Sequence, residues 1–445
     1  LHTSGPTIAL SIVIAGACVM TLSASLIHVS GRWLVRRKDT AHPHDTRFWR
    51  WAGELVKRRP QAVTLVVSAF LLSASLLGAW KRNEPIYDSL DQFPADSSFV
   101  RGARSYSRHF QNGRPVAEAT LLVTFPQRVD GAENADALRK QLNAISVAIR
   151  KRLSVVHYRD LVDPLGAWRE PETGKNESGF VSRAIIEQFA RPTYLGRSGK
   201  TTRIDLGLEI EPRSIPAMKA MSELRQIVAD VLRIEFTPGS DASGAVIDIA
   251  GENAVYADMR SLRIRDFAVV AAAAIGMIFA VLLWLLRSAI QSAILIIATL
   301  LTYLSAYGAT WLIVRGVYGA PALAWQIDFL LFIVVLSLGQ DYNIFVVARV
   351  HEELKRHDLR EAVATAVRRT GSVVSSCGVI MAATFASMFA GSLMMMKEFA
   401  IALSLAMLID TFIVRPLLVP ALILLAHRFH SRSHRASGNA AVEPQ

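Results

Sequence analysis

Residues 326–348 read QIDFLLFIVVLSLGQDYNIFVVA, an apolar run interrupted near its start by Asp328 and just past its centre by Asp341. As a helix this run is ~34 Å long at about 1.5 Å per residue, enough to cross a hydrocarbon layer of roughly 30 Å. Six more runs of this kind flank it: Thr7–Ile27, Ala62–Trp80, Phe267–Leu286, Ala289–Val314, Ser372–Met396 and Phe399–Ala426. The reading is a seven-span helical membrane protein, with residues 267–426 forming a five-helix bundle.

Composition agrees. The chain has 445 residues, of which 52% are hydrophobic and only 19% charged; soluble chains carry about 25% charged residues. Residues 81–266 alone hold 27 Lys/Arg and 25 Asp/Glu, a soluble balance, leaving 22 and 12 for the other 259 residues. The fold class is therefore α+β, a transmembrane bundle with one water-soluble domain. Two cysteines, Cys18 and Cys377, both in apolar runs, exclude a disulfide framework.

Lys and Arg in short loops give the orientation. Nine lie in His28–Pro60, one (Arg287) after the third span, six between Arg349 and Arg369, and Arg428, Arg432 and Arg435 in the tail. The opposite loops hold only Arg315 and Lys397. One alternating topology puts every basic loop in the cytoplasm, so 28–61 is a basic cytoplasmic linker, 81–266 faces away from the cytoplasm, and 427–445 is a disordered cytoplasmic tail. The net charge of +12 is then flank charge rather than a nucleic-acid footprint. Thr7–Ile27 lacks the basic leader and cleavage site of a signal peptide. With the chain beginning at Leu1 and this span entering from outside, the expectation is that a segment precedes it.

Within 81–266 the periodicity changes. Thr202–Glu211 alternates, with Ile204, Leu206, Leu208 and Ile210 on one face and Arg203, Asp205, Glu209 and Glu211 on the other, the pattern of a half-buried strand. Ser214 is a helix N-cap with Pro216 in the first turn, followed by Met221, Leu224, Val228 and Val231 at helical spacing, then a strand at Ala245–Ala250. The first half repeats this plan with strand Ala117–Phe125, helix Ala132–Leu153 (stripe Leu138, Leu142, Ile145, Ile149) and strand Ser154–Leu161. Two β-α-β units predict a ferredoxin-like, split βαβ sandwich. Asp163–Lys200 reads as an insertion with a short helix at Phe180–Ala190, and Glu252–Arg265 as a helix running on into the third span. The domain has no metal-spaced His/Cys/carboxylate cluster, Gly-x-Ser-x-Gly elbow or phosphate loop, so it reads as a binding or conduit module and not an enzyme, with no metal and no cofactor.

Ionisable groups in a membrane core are costly, by ~2.5–3.5 kcal/mol at a helix centre, and usually functional. Asp328 reads as an interfacial carboxylate near water. Asp341 lies about 6 Å past the span centre, with Tyr342 and Asn343 as polar neighbours. Asp410 is mid-span in the last helix, with Arg415 about 7.5 Å further on. Asp341 and Arg415 share a depth and are expected to approach one another. The rival pairing of Asp410 with Arg415 is geometrically poorer at five-residue spacing than at i,i+4. Burial disfavours a charged carboxylate and a guanidinium favours it, so Asp341, held between the two, can take up and release a proton. A static ion pair that only fixes packing is the other reading. In the sixth span Ala382, Ala386 and Ala390 form a small-residue packing ridge beside Ala383, Ser387 and Gly391, and 350–371 reads as an amphipathic helix at the cytoplasmic interface.

Gly339-Gln340-Asp341-Tyr342-Asn343-Ile344-Phe345, followed by Arg349 and Glu352-Glu353, resembles the GxDYxxF…R…E motif of the MMPL branch of the RND (resistance-nodulation-division) transporters. Arg369-Thr370-Gly371 and Asp410-Thr411-Phe412-Ile413-Val414-Arg415 with Pro420 are similar to that family too, and Asp163-Pro164-Leu165-Gly166 and Gly251–Asp258 are weaker echoes. The resemblance covers the C-terminal half of a twelve-span member, with Thr7–Ile27 as the end of a preceding half-repeat and 81–266 as a porter domain. It implies proton-driven export of lipids or other hydrophobic molecules from the cell inner membrane. It also implies a proton relay of Asp341 and Tyr342, supported by Asn343, Asp410 and Arg415, and a partner that is either a missing N-terminal half or a second copy. A non-transporting membrane scaffold and a lipid-sensing relative are the alternatives with the same architecture.

Overall fold

The computed structural model describes residues 4–23, 25, 26, 28–30, 47–80, 85, 87, 90–94, 96–110, 115–130, 132–164, 190–232, 245–320 and 322–427, with the side chains of 340–343 outside that description. The helices that come first among the described residues include α1 (Ser4–Cys18), which runs on as a π-turn at Val19–Ser23, α2 (Arg47–Arg58), α3 (Pro60–Trp80) and α4 (Ser98–Phe110). An α/β domain follows as β1 (Ala117–Thr124), α5 (Ala132–Arg152), β2 (Val155–Arg159), β3 (Thr201–Leu208), α6 (Ile215–Leu232) and β4 (Val246–Ala250). Then come α7 (Glu252–Leu286), α8 (Ala289–Tyr318), α9 (Gln326–Glu353), α10 (Leu359–Ala386) and α11 (Met394–Ile409), the last continued by a π-helical segment, Asp410–Leu418.

The four strands pair antiparallel in the order β2-β3-β1-β4, the order of a split βαβ sandwich. Alternation decides which face is covered. Ala117, Ala119, Leu121 and Val123 of β1 and Ile204, Leu206 and Leu208 of β3 are buried under one core with Leu138, Leu142, Ile145 and Ile149 of α5 and Leu224 and Ile227 of α6. The outer face is polar: Thr120 and Arg203 both donate to Asp205, at 2.7 and 2.9 Å. Ser214 caps α6 as its residue type requires, its hydroxyl accepting the Ala217 N–H at 3.2 Å.

Six described helices are long and apolar enough to cross a membrane: those over Pro60–Leu77, Glu252–Leu286, Ala289–Tyr318, Gln326–Glu353, Leu359–Ala390 and Met394–His427. In the first expected span, Thr7–Ile27, the apolar helical stretch among the described residues is Ala9–Leu22. Tight turns set the packing of the bundle. Arg287, left-handed at φ 51°, ends α7, and the next residue, Ser288, caps α8 by accepting the Gln291 N–H. Leu71, Leu295, Leu331, Val335, Ala402, Ala406 and Val414 are buried in the bundle's shared core.

The structure refines three expectations. Residues 350–371 are not a separate interfacial helix. The chain leaves α9 at Glu353 and re-enters helix at Leu359, and α10 continues unbroken to Ala386. The apolar positions Ala362, Val363 and Val367 are buried because α2 packs on α10, while Leu354 stays exposed. Secondly, the basic linker 28–61 contains a helix, α2, which buries Trp49, Ala52, Gly53 and Val56. The Trp49 indole rests on Gly371, where any Cβ would overlap it, and its Nε1–H donates to Ser375 Oγ at 2.8 Å. Thirdly, the small-residue ridge of the sixth span is only partly covered by the rest of this chain. Ala382 is buried, but Ala383, Ser387 and Ala390 are exposed, and the helix tightens to a 3-10 turn at Ser387–Ala390. The short helix expected at Phe180–Ala190 and the tail beyond 427 lie outside the described residues, except for Ala190.

Candidate functional site

The last helix departs from α geometry where its charges lie. Pro416 has no N–H to donate and its ring crowds the preceding turn, and the backbone widens to a π-helix over Asp410–Leu418. In an α-helix residues five apart point ~140° away from each other, whereas a wider turn brings them into line. Arg415 Nη2 accordingly donates to Asp410 Oδ2, and the two side chains are each 3% exposed. This is the pairing that ideal α-helical spacing disfavours. The segment touches α2, α3, α8, α9 and α10, so the pair sits at the hub of the bundle. Gly378 of α10 lets it approach, because a Cβ there would overlap the Thr411 side chain. Asp410 Oδ1 makes no hydrogen bond among the described residues.

Asp341, Tyr342 and Asn343 lie in α9, and their side chains are outside the described residues, as is any approach of Asp341 to Arg415. Just before them, Gly339 packs on α8, an ideal Cβ there coming 3.4 Å from Thr299 Cγ2.

Asp328, read as an interfacial carboxylate, is 6% exposed and buried against a cation. Arg263 of α7 donates to its Oδ2 at 2.6 Å, while Asp328 Oδ1 accepts the Phe329 N–H. The guanidinium carbon of Arg263 lies 5.9 Å from the centre of the Tyr87 ring, and Tyr87 stacks on Trp325 with 6.3 Å between centroids.

Sequence reasoning missed Glu398. It lies one residue before the expected start of the last span, is 1% exposed, and accepts the Ala324 N–H at 2.9 Å. An acid inside a longer apolar window starting at Met394 was the available signal. At the other end of the bundle Glu353, 3% exposed, accepts Arg369 at 2.9 Å and pairs with Arg349 at 3.2 Å. Lys57 of α2 pairs with Glu361 of α10 at 2.5 Å, and that hydrogen bond raises the Lys57 pKa.

The family model described as the MMPL family matches residues 1–63 and 91–441. The chain belongs to the MMPL family. With its six membrane-length helices, this MMPL protein is a multi-pass membrane protein. A membrane protein of Streptomyces coelicolor is 28% identical to it over 431 residues, 96% of this chain and 45% of the relative. The apo-petrobactin exporter of Bacillus anthracis is 30% identical over 377 residues, 85% of this chain and 44% of the relative. Mycobacterium tuberculosis MmpL9, named as a transport protein, is 30% identical over 263 residues, 56% of this chain and 27% of the relative. The chain thus spans less than half the length of each of these three relatives.

Proposed function

We propose that this chain supplies the C-terminal half of a proton-motive-force-driven transporter that moves lipids or other hydrophobic molecules outward across the cell inner membrane. Asp341 and Tyr342 form the proton relay, Asn343, Asp410 and Arg415 support it, and the α/β domain acts as an extracytoplasmic porter module. A second six-span half, on a preceding segment or in a second copy, completes the unit. The protein is a carrier rather than an enzyme, in keeping with relatives named as an exporter and a transport protein.

The buried Asp410–Arg415 pair at the hub of the bundle carries this reading. Buried ion pairs seldom stabilise a fold more than apolar replacements do, and ionisable groups inside a bilayer are kept for function. A π-turn is likewise a frequent mark of a functional site. Asp341 lies on α9, one of the helices that the Asp410–Leu418 segment touches.

The test compares lipid extracts of cells carrying the intact protein, an Asp341→Asn variant and a deletion. A lipid class that accumulates inside the deletion strain and disappears from the surface extract should do the same in Asp341→Asn, with membrane levels of the protein unchanged. Surface and cell extracts of Asp341→Asn identical to the parent's would contradict the proposal.

A further inference from the structure

We propose that the Arg263–Asp328 bridge is the strut that passes movement between α9, which bears Asp341, and the α/β domain. This rests on the transporter reading above and adds to it the residues that couple the proton site to the domain.

The strut is built from both ends. One residue, Gly251, separates β4 from the start of α7. Asn253, 3% exposed, anchors this start: its amide N–H donates to the Glu118 carbonyl of β1 at 3.1 Å, and its Oδ1 accepts the Arg213 N–H at 2.8 Å. From there α7 runs 35 residues without a break into the bundle, so a turn of the sheet moves the helix with it. At Arg263 the rod meets Asp328, in the first turn of α9, at 2.6 Å. Asp341 is thirteen residues further along the same helix, ~20 Å at about 1.5 Å per residue.

The joint is largely enclosed. The Arg263 and Asp328 side chains are 18% and 8% exposed, so solvent screens the pair weakly. Tyr87 closes it from the chain after α3, touching Tyr256 of α7 as well as Trp325 before α9. Below the bridge Phe267 packs edge-on to Phe329 and Phe332, so α7 and α9 are held by ring contacts where the charges end. A shift of α9 therefore pulls on α7 through one charged contact backed by rings. Cutting that contact should leave proton movement intact and stop its transmission.

The experiment uses the intact protein in vesicles, with Cys18 and Cys377 replaced by Ser and spin labels on Gln226→Cys of α6 and Val317→Cys of α8. The label distance is measured at neutral and acid pH, alongside proton uptake reported by a trapped pH dye. Acidification should shift the parent's distance. Arg263→Gln and Asp328→Asn should each keep proton uptake and lose the shift, and the exchanged pair Arg263→Asp with Asp328→Arg should restore it. A full shift in Arg263→Gln would overturn the strut, as would joint loss of uptake and shift that the exchanged pair fails to restore. Absence of proton uptake in the parent would instead remove the transporter reading, and this inference with it.

Discussion

Arg415 reaches Asp410, five residues back on its own helix, only because the turn between them is π rather than α. Pro416 makes that turn, and Gly378 leaves room for it. The pair is thus a product of backbone geometry, set in the part of the bundle that five other helices touch. Replacing Asp410 alone with Leu takes one carboxylate from the buried guanidinium, at an expected cost of up to ~3–5 kcal/mol. Replacing both, as Asp410→Leu with Arg415→Met, should recover most of that stability and none of the transport. Thermal unfolding in detergent beside a transport assay separates the two effects.

The docking of α2 depends on one indole over one glycine. Trp49→Ala removes a buried ring and the hydrogen bond to Ser375, a loss of about 3–5 kcal/mol for a core aromatic. Gly371→Leu should undock the helix as well, by filling its notch. Trypsin should then cut faster after Lys57 and Arg58, and an unchanged cleavage rate in both variants would refute the packing argument.

Glu398 is the acceptor for the Ala324 N–H ahead of α9. Glu398→Gln keeps an acceptor oxygen and should change unfolding temperature little. Glu398→Leu leaves a buried N–H unpaired and should cost ~1–3 kcal/mol. Equal effects of the two variants would show that the contact is not what holds the loop.

In the α/β domain, burial first and the charge of Asp160 second push the Tyr158 phenol well above its ordinary value of 10. Since the folded value is the raised one, the stability linked to this group is complete below pH 10 and is lost as pH rises through the folded value. Ultraviolet titration should show late phenol ionisation to which Tyr158 contributes, and Tyr158→Phe should reduce it by one phenol. A titration in which Tyr158 ionises with the exposed tyrosines would contradict its burial.

Much of this was legible in the sequence because it rests on short-range pattern. The stripe Leu138, Leu142, Ile145, Ile149 and the alternation about Ile204 and Leu206 fix which faces are buried, and all six side chains are buried. The run from Glu252 into the third span reads, and is, one helix. What escaped depends on contacts distant in the chain or on departures from ideal helix. Ala362 and Val367 have the periodicity of an interfacial helix whether lipid or α2 covers them. Asp328 reads as near water until Arg263, 65 residues earlier, is placed beside it. The spacing of Asp410 and Arg415 is poor for an ideal α-helix, and Pro416 was the local sign that the helix there is not ideal.

Proton flux through vesicles holding the intact protein, with a pH gradient imposed and a trapped dye as reporter, tests the central claim most directly. The parent should carry protons, and Asp341→Asn should reduce the flux to that of protein-free vesicles while the protein stays folded and inserted. Undiminished flux in Asp341→Asn would contradict the account.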